Sequence, residues 1–312
     1  MARAGGDGID VAVEVLGAPE SGGAPWHDMA RVLDAVGSAD GHPPLSDQAV
    51  LDVQHPTPRS ALLLARTPDG TLAAVGSLRR GPAAWTLEVA VDLPFRRPSG
   101  DVEQELLDAA LAHVATHGGG RLALWVRPPA TAVAAAATRR GLVPSREMLQ
   151  LRVGLPLAAS VVGARPGPPV RSFVVGADEA EWLGVNNRAF AAHTEQGAWS
   201  LDDLLARETE AWFDPSDFLV HEIGGRIVAF CWTKVHPDPA VGEIYVIGVD
   251  PQFQGRGLGR AMTVAGLAHL ASVGVTTGLL YVESDNAPAL ALYRSLGFER
   301  HHSERQYTAD VR

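Results

Sequence analysis

Three glycines, at positions 255, 257 and 259, fall within the stretch "VDPQFQGRGLGRAM", Val249 to Met262. Glycine tolerates positive φ, so such a loop can turn successive backbone N–H groups inward, toward the positive end of a following helix. The chemistry this suits is the grip on a phosphate. The spacing excludes two common phosphate loops. No Gly-Lys-Ser/Thr ending follows, as a P-loop requires. Arg260 and Met262 stand where a dinucleotide-binding Gly-x-Gly-x-x-Gly would need its last glycine. What remains is the run from Gln254 to Gly259.

The flanking segments must hold that loop in place. "GEIYVIGVD" is rich in Val and Ile and bounded by turn residues, which predicts a strand. "GRAMTVAGLAHLASVG" sets Ala261, Val264, Ala265, Ala268 and Ala271 at helical spacing and stops at Gly274, which predicts a helix. The series occurs earlier as well. "GTLAAVGSL" from Gly70 matches "GRIVAFCWT" from Gly225, and "VAVD" ending at Asp92 matches "IGVD" ending at Asp250. Gly141 of "RRGLV" answers Gly297 of "RSLGF", an offset of 297 − 141 = 156. A steady offset with alternating strands and helices predicts a duplicated α/β domain with a mixed sheet. The four-proline segment "LPLAASVVGARPGPPV" reads as the linker, which gives domains 1–154 and 171–312 about a linker 155–170.

Composition narrows the function classes. The chain has 312 residues, 46% apolar and 20% charged, and its net charge is −10, with no basic patch of the kind nucleic acid requires. No apolar run approaches the roughly 20 residues that span a bilayer, so no membrane role is expected. The first residues lack the basic and apolar regions of an export signal, so a cytoplasmic protein, read as a monomer, is expected. The single cysteine, Cys231, sits in the apolar run "RIVAFCWTKV" and reads as a small buried residue. His301 and His302 have no ligand spacing with other residues and read as surface positions.

Gln254 to Gly259 matches Gln/Arg-x-x-Gly-x-Gly/Ala. A second stretch, "YVESDNAPALALYRSLGF", supplies a strand, Asn286 ahead of a helix, and Tyr293 seven residues on. Seven residues are nearly two turns, so both lie on one helix face, roughly 10 Å apart along the axis. In these stretches the chain resembles the GNAT superfamily of N-acetyltransferases. The resemblance implies two tandem GNAT-type domains and acetyl-CoA as cosubstrate, with no metal. The pyrophosphate would lie on Gln254, Gly255, Arg256, Gly257, Leu258, Gly259 and Arg260. The pantetheine arm would lie along Ile247, Gly248 and Val249 as an added strand. Asn286, Ala287, Pro288, Ala289, Leu290 and Ala291 would complete the cofactor contacts. Glu243 is then placed as general base and Tyr293 as general acid.

The first half departs from the pattern. After "VAVD" it reads "LPFRRPSGDVEQELL", with one glycine in place of three. Trp85 stands opposite Glu243, Ala130 opposite Asn286 and Ala137 opposite Tyr293. The N-terminal domain therefore reads as degenerate, a structural partner without chemistry of its own.

Beyond the superfamily motifs, "VNNRAFAAHTEQGAW", "EAWFDP", "WTKVHPD", "GEIYVIGVDP" and "LLYVESDN" resemble the mycothiol synthase family, whose members carry two such domains. That implies acetyl transfer to the cysteinyl amine of desacetylmycothiol, a small thiol-sugar conjugate. By motif, Asp47, Glu195, Lys234, Glu243 and Tyr281 would touch this substrate; at Asp47 the family favours glutamate. A polyhydroxylated conjugate also suits carboxylates and a lysine beside aromatic faces, which Glu195, Lys234 and Trp199 could supply. Glu195 and Lys234 both fall in stretches that read as loop-like. Trp212 and Trp232 read rather as core. Two alternatives stay open: another small amine or a peptide N-terminus as acceptor, and a non-catalytic acetyl-CoA sensor.

Overall fold

A computed structural model of the chain describes residues 9–17, 26–128, 131–163, 167–191, 197–236 and 240–312. They form two compact units, Met1–Glu147 with Glu304–Arg312, and Met148–Ser303.

The first unit begins with β1 (Ala12–Gly17), α1 (Trp26–Asp40) and α2 (Asp47–Gln54). The strands β2 (Ser60–Arg66), β3 (Leu72–Arg80) and β4 (Trp85–Val91) follow, then α3 (Asp101–Thr116), β5 (Gly120–Val126), α4 (Thr131–Arg139) and β6 (Val143–Gly154). β1 to β4 are antiparallel neighbours in sequence, and β5 lies parallel to β4. Helices cover both faces, so "SALLLAR" of β2 is apolar without alternation. Ala61, Leu63 and Ala65 join the core that includes residues of α3, while Leu62 and Leu64 join the core that includes residues of α1 and α2.

The second unit repeats the series. After α5 (Ala159–Val162) come β7 (Arg171–Ser172), α6 (Glu179–Ala189) and α7 (Leu201–Glu208). Then follow β8 (Phe218–Ile223), β9 (Arg226–Val235), β10 (Val241–Val249), α8 (Leu258–Ser272), β11 (Thr277–Glu283), α9 (Ala287–Ser295) and β12 (Glu299–Val311). β7 to β10 are antiparallel and β11 is parallel to β10. On β9, Ala229 and Cys231 face one core while Phe230 and Trp232 face the other.

The duplication extends to side-chain contacts. In the first unit Arg31 pairs with Asp92 at 3.1 Å, and the Asp92 carboxylate caps the backbone N–H of Leu93 at 2.8 Å. In the second, Arg188 pairs with Asp250 at 2.6 Å, and Asp250 caps Gln252 at 3.0 Å. The two clamps pin the turns that follow β4 and β10.

Residues 155–170, expected as the linker, fall within the second compact unit. The chain passes into the second unit at Met148, inside β6, and back into the first at Glu304, inside β12. Met148–Gly154 pairs with β11 of the second unit, and Arg305–Val311 pairs with β5 of the first. Each unit thus takes its closing strand from a segment that local composition assigns elsewhere. Among the described residues, no helix is long and apolar enough to cross a membrane.

Candidate active site

β10 defines the candidate site because it loses one of its two strand partners partway along. Its parallel ladder with β11 covers only Val241–Thr277, Gly242–Gly278 and Glu243–Leu279, although β10 runs on to Val249 and β11 to Glu283. Beyond Glu243 the two strands splay, and the β10 backbone edge on that side has no strand partner. On the other side β10 stays paired to β9, with a bulge between Ile244 and Val246. The extra residue, Tyr245, resets the alternation. Ile247 and Val249 pack on the core that includes α8, whereas Tyr245 and Val246 pack with Trp232. Gly248 is needed for a separate reason: a Cβ there would stand 2.6 Å from the Phe230 ring.

The glycine loop follows at the open end of β10. Gly255 has φ of 75° and Gly257 has φ of 80°, both left-handed, and a Cβ on either would meet no atom within 4 Å. Gly257 is the N-cap of α8, no side chain caps that end, and the first turn holds no acidic residue. Uncapped N–H groups, open space and a favourable helix dipole together suit an anion. Around it, Gln254 donates to the Val249 carbonyl at 3.4 Å, and the Arg256 guanidinium lies 5.1 Å from the centre of the Phe253 ring. Arg260 is turned away, donating to the Val161 and Val162 carbonyls at the end of α5. Gly257→Val should therefore weaken acetyl-CoA binding by roughly 10- to 100-fold, the loss of one or two charge-assisted hydrogen bonds. Calorimetry on the folded variant checks this, and unchanged affinity would remove the loop from the cofactor site.

Strand register brings three of the expected acceptor-side residues to one sheet face. Glu243 pairs directly with Lys234 across β9 and with Leu279 across β11, and Tyr281 is two residues beyond Leu279. Glu243 accepts from His236 Nε2 at 3.0 Å, with only 12% of its side chain exposed. Lys234 corrects the loop-like reading: it lies on β9 and is buried, its ammonium 4.5 Å from the centre of the Trp212 ring and 5.7 Å from that of Tyr245. Tyr281 accepts from the buried Gln150 amide at 2.7 Å, and Arg152 donates to the other end of that amide at 2.9 Å. Sequence patterns gave no signal for Gln150 or Arg152, since they sit on the exchanged strand β6.

The remaining expectations divide. Tyr293 on α9 is buried beside Phe298, ring centres 5.6 Å apart. Burial, with the Cys231 sulfur acting in the same direction, pushes its hydroxyl pKa up to about 12. Asn286 is the N-cap of α9, accepting from Ala289 N–H at 3.2 Å, and Pro288 lies in the first turn. The Leu290 side chain belongs to the core and could offer a ligand only its backbone. Asp47 is the first residue of α2 in the first unit, where Ser46 caps the helix and is itself held by Glu88 at 2.6 Å. Glu195 lies outside the described residues. Trp232 is core, as expected; Trp212 and Trp199 are half-buried against the same cluster, with Arg207 stacked 3.9 Å above Trp199. Cys231 is buried and its thiol is pushed up to about 12 by that burial, which makes it inert. His302 departs from the surface reading: it is half-buried, its ring 6.4 Å from Tyr281.

The acetyltransferase (GNAT) family model matches residues 186–298. The mycothiol acetyltransferase of Thermomonospora curvata is 43% identical over 278 residues, covering 88% of this chain and 90% of that protein. That of Kocuria rhizophila is 39% identical over 290 residues, covering 90% and 94%. Among solved structures, a tandem GNAT protein from the clavulanic acid biosynthesis pathway superposes with a TM-score of 0.70, at 19% identity over 97% of this chain and 99% of that one. A GCN5-related N-acetyltransferase from Sphaerobacter thermophilus gives 0.68 at 22% identity, covering 96% of each chain. These two share the fold. With the relatives' identity and coverage added to the splayed strand and glycine cradle, the chain belongs to the mycothiol acetyltransferase family of GNAT acyltransferases.

Proposed function

We propose that the second unit transfers the acetyl group of acetyl-CoA to the cysteinyl amine of desacetylmycothiol, giving mycothiol and CoA. The observation that carries this reading is the join of three features on β10: a carboxylate at the splay point, an unpaired backbone edge beyond it, and an uncapped helix N-terminus at its end. The pyrophosphate rests on the N–H groups of Gly255 to Arg260, and the pantetheine amides pair with the β10 edge from Ile247 to Val249. A backbone N–H of that edge stabilises the charge that develops on the thioester oxygen. Glu243 takes a proton from the cysteinyl ammonium, the amine nitrogen attacks the thioester carbon, and the carbon–sulfur bond breaks. Tyr293 gives its proton to the departing thiolate and is restored by the second proton of the former ammonium nitrogen, which the new amide sheds. Lys234 and Tyr281, on the Glu243 face, hydrogen-bond the conjugate's oxygens in this reading. A deletion strain tests the assignment: mass spectrometry of its thiols should show the unacetylated precursor accumulating and mycothiol lost. Normal mycothiol levels would contradict it.

The first unit is read as non-catalytic. Its β4 and β5 also part after three paired positions, yet its helix terminus differs. A Cβ on the N-cap Gly100 would crowd the Ala132 carbonyl at 3.2 Å, and Asp101 and Glu103 put negative charge into the first turn of α3. Arg96 is engaged by Asp40 at 2.7 Å. The exposed side chains of Arg97 and Ser99 reach neighbours, the Arg96 carbonyl and Asp101, while the Ser99 carbonyl, which alanine keeps, accepts from Arg139 and Gln104. Replacing Arg97 and Ser99 together by alanine should leave turnover within about twofold, as surface changes do. Collapse of turnover in a stably folded variant would assign the first unit a direct part. Arg96 is unsuitable for this test, since its removal strands the buried Asp40.

A further inference from the structure

We propose that His236 is a positioning residue for acetyl transfer, acting through Glu243; this rests on the reading of Glu243 as the proton acceptor. His236 directly follows β9, and its backbone N–H donates to the Val241 carbonyl at 3.0 Å, closing the β9–β10 connection. The backbone is thus held by the hairpin itself. From there the ring reaches Glu243, seven residues on, with Nε2 at 3.0 Å from one carboxylate oxygen. Both side chains are largely withdrawn from water, 18% and 12% exposed, so the bond is not the solvent-screened surface pair that contributes little.

A carboxylate can only accept, so the imidazole donates its Nε2–H to it. That single bond decides two things. It fixes the rotation of a side chain that has three free torsions, and it leaves the second oxygen as the one that takes the amine proton. General-base efficiency depends on that placement, because proton transfer needs heavy atoms within about 2.6–3.2 Å in the reacting pose. An α-amino group with an ordinary pKa of roughly 7.7–8.0 needs only a weak base, so placement is what the bond supplies.

A double-mutant cycle on the full chain tests the assignment. In His236→Ala, kcat should fall roughly 10- to 100-fold, the scale of a misplaced reacting group, with KM for acetyl-CoA unchanged. His236→Gln, whose amide can donate to the same oxygen, should recover most of the rate. In the Glu243→Gln background, His236→Ala should cost less than about twofold, because the group it positions no longer acts as a base. Equal losses in both backgrounds, no rescue by glutamine, or an unaffected kcat would each overturn the proposal. If Glu243→Gln alone is fully active, the reading of Glu243 fails first, which separates the two failures. Circular dichroism and the retained acetyl-CoA affinity of His236→Gln guard against misfolding.

Discussion

Glu243→Gln should lower kcat by roughly 10²–10⁴-fold, the usual contribution of a positioned general base, with acetyl-CoA affinity unchanged. Glutamine is isosteric, keeps an oxygen toward His236, and preserves the strand register with Lys234 and Leu279. Only the capacity to take a proton is lost. Affinity for the cosubstrate should be separate, because the glycine loop proposed to cradle its phosphates begins at Gln254, beyond the splay. The pH response is the sharper readout. Raising the pH toward and above the amine's own pKa, roughly 7.7–8.0, deprotonates the acceptor without help, so the variant should regain part of its rate there. Full activity at neutral pH would make Glu243 a substrate contact and move the base elsewhere.

Tyr293→Phe is the second large effect, with a loss of kcat in the same roughly 10²–10⁴-fold range. The ring is core, packed by Phe298, so phenylalanine keeps the packing and removes only the donor. Its raised pKa predicts the pH behaviour. Because burial holds the hydroxyl protonated up to about pH 12, the wild-type rate should have no alkaline limb from this group in the range where proteins are usually assayed. The sign for stability follows from the same shift. A group whose folded pKa lies above its ordinary value of 10.0 stabilises the fold fully below pH 10, and that contribution is lost as pH rises toward about 12. Tyr293→Phe should abolish that alkaline loss in a denaturation series while leaving stability at neutral pH within the range of a conservative change. A rate unchanged by the substitution would send the leaving thiolate's proton to another donor.

What the sequence made legible is what local chemistry demands. Gly255 and Gly257 occupy left-handed backbone that few other residues enter, and Asn286 is a helix cap, so both announce themselves by residue type. The duplicated order was readable because each copy needs the same apolar rhythm. Four things were not readable, each for a tertiary reason. The closing strands are exchanged, and nothing in "VPSREMLQLRVG" says which unit its two ends will join. The bulge at Tyr245 falls in a run with no glycine or proline at that point, so the flip in facing from Glu243 to Ile247 left no trace in composition. Lys234 follows a strand-like run and precedes prolines, and only the ladder to Glu243 shows that the strand includes it. The His236–Glu243 bond likewise crosses a hairpin at a spacing that matches no motif.

If the acceptor is the cysteinyl amine of desacetylmycothiol, the enzyme's choice among amines will show it. Purified protein should be given acetyl-CoA with that conjugate, a simple peptide with a free N-terminus, and an aminoglycoside, each alone and in competition, with products read by mass spectrometry. The conjugate alone should gain one acetyl group, on its cysteinyl nitrogen, with kcat/KM far above that of the other amines. Comparable or faster acetylation of the peptide or the aminoglycoside, or no turnover of the conjugate by a protein that binds acetyl-CoA, would contradict it.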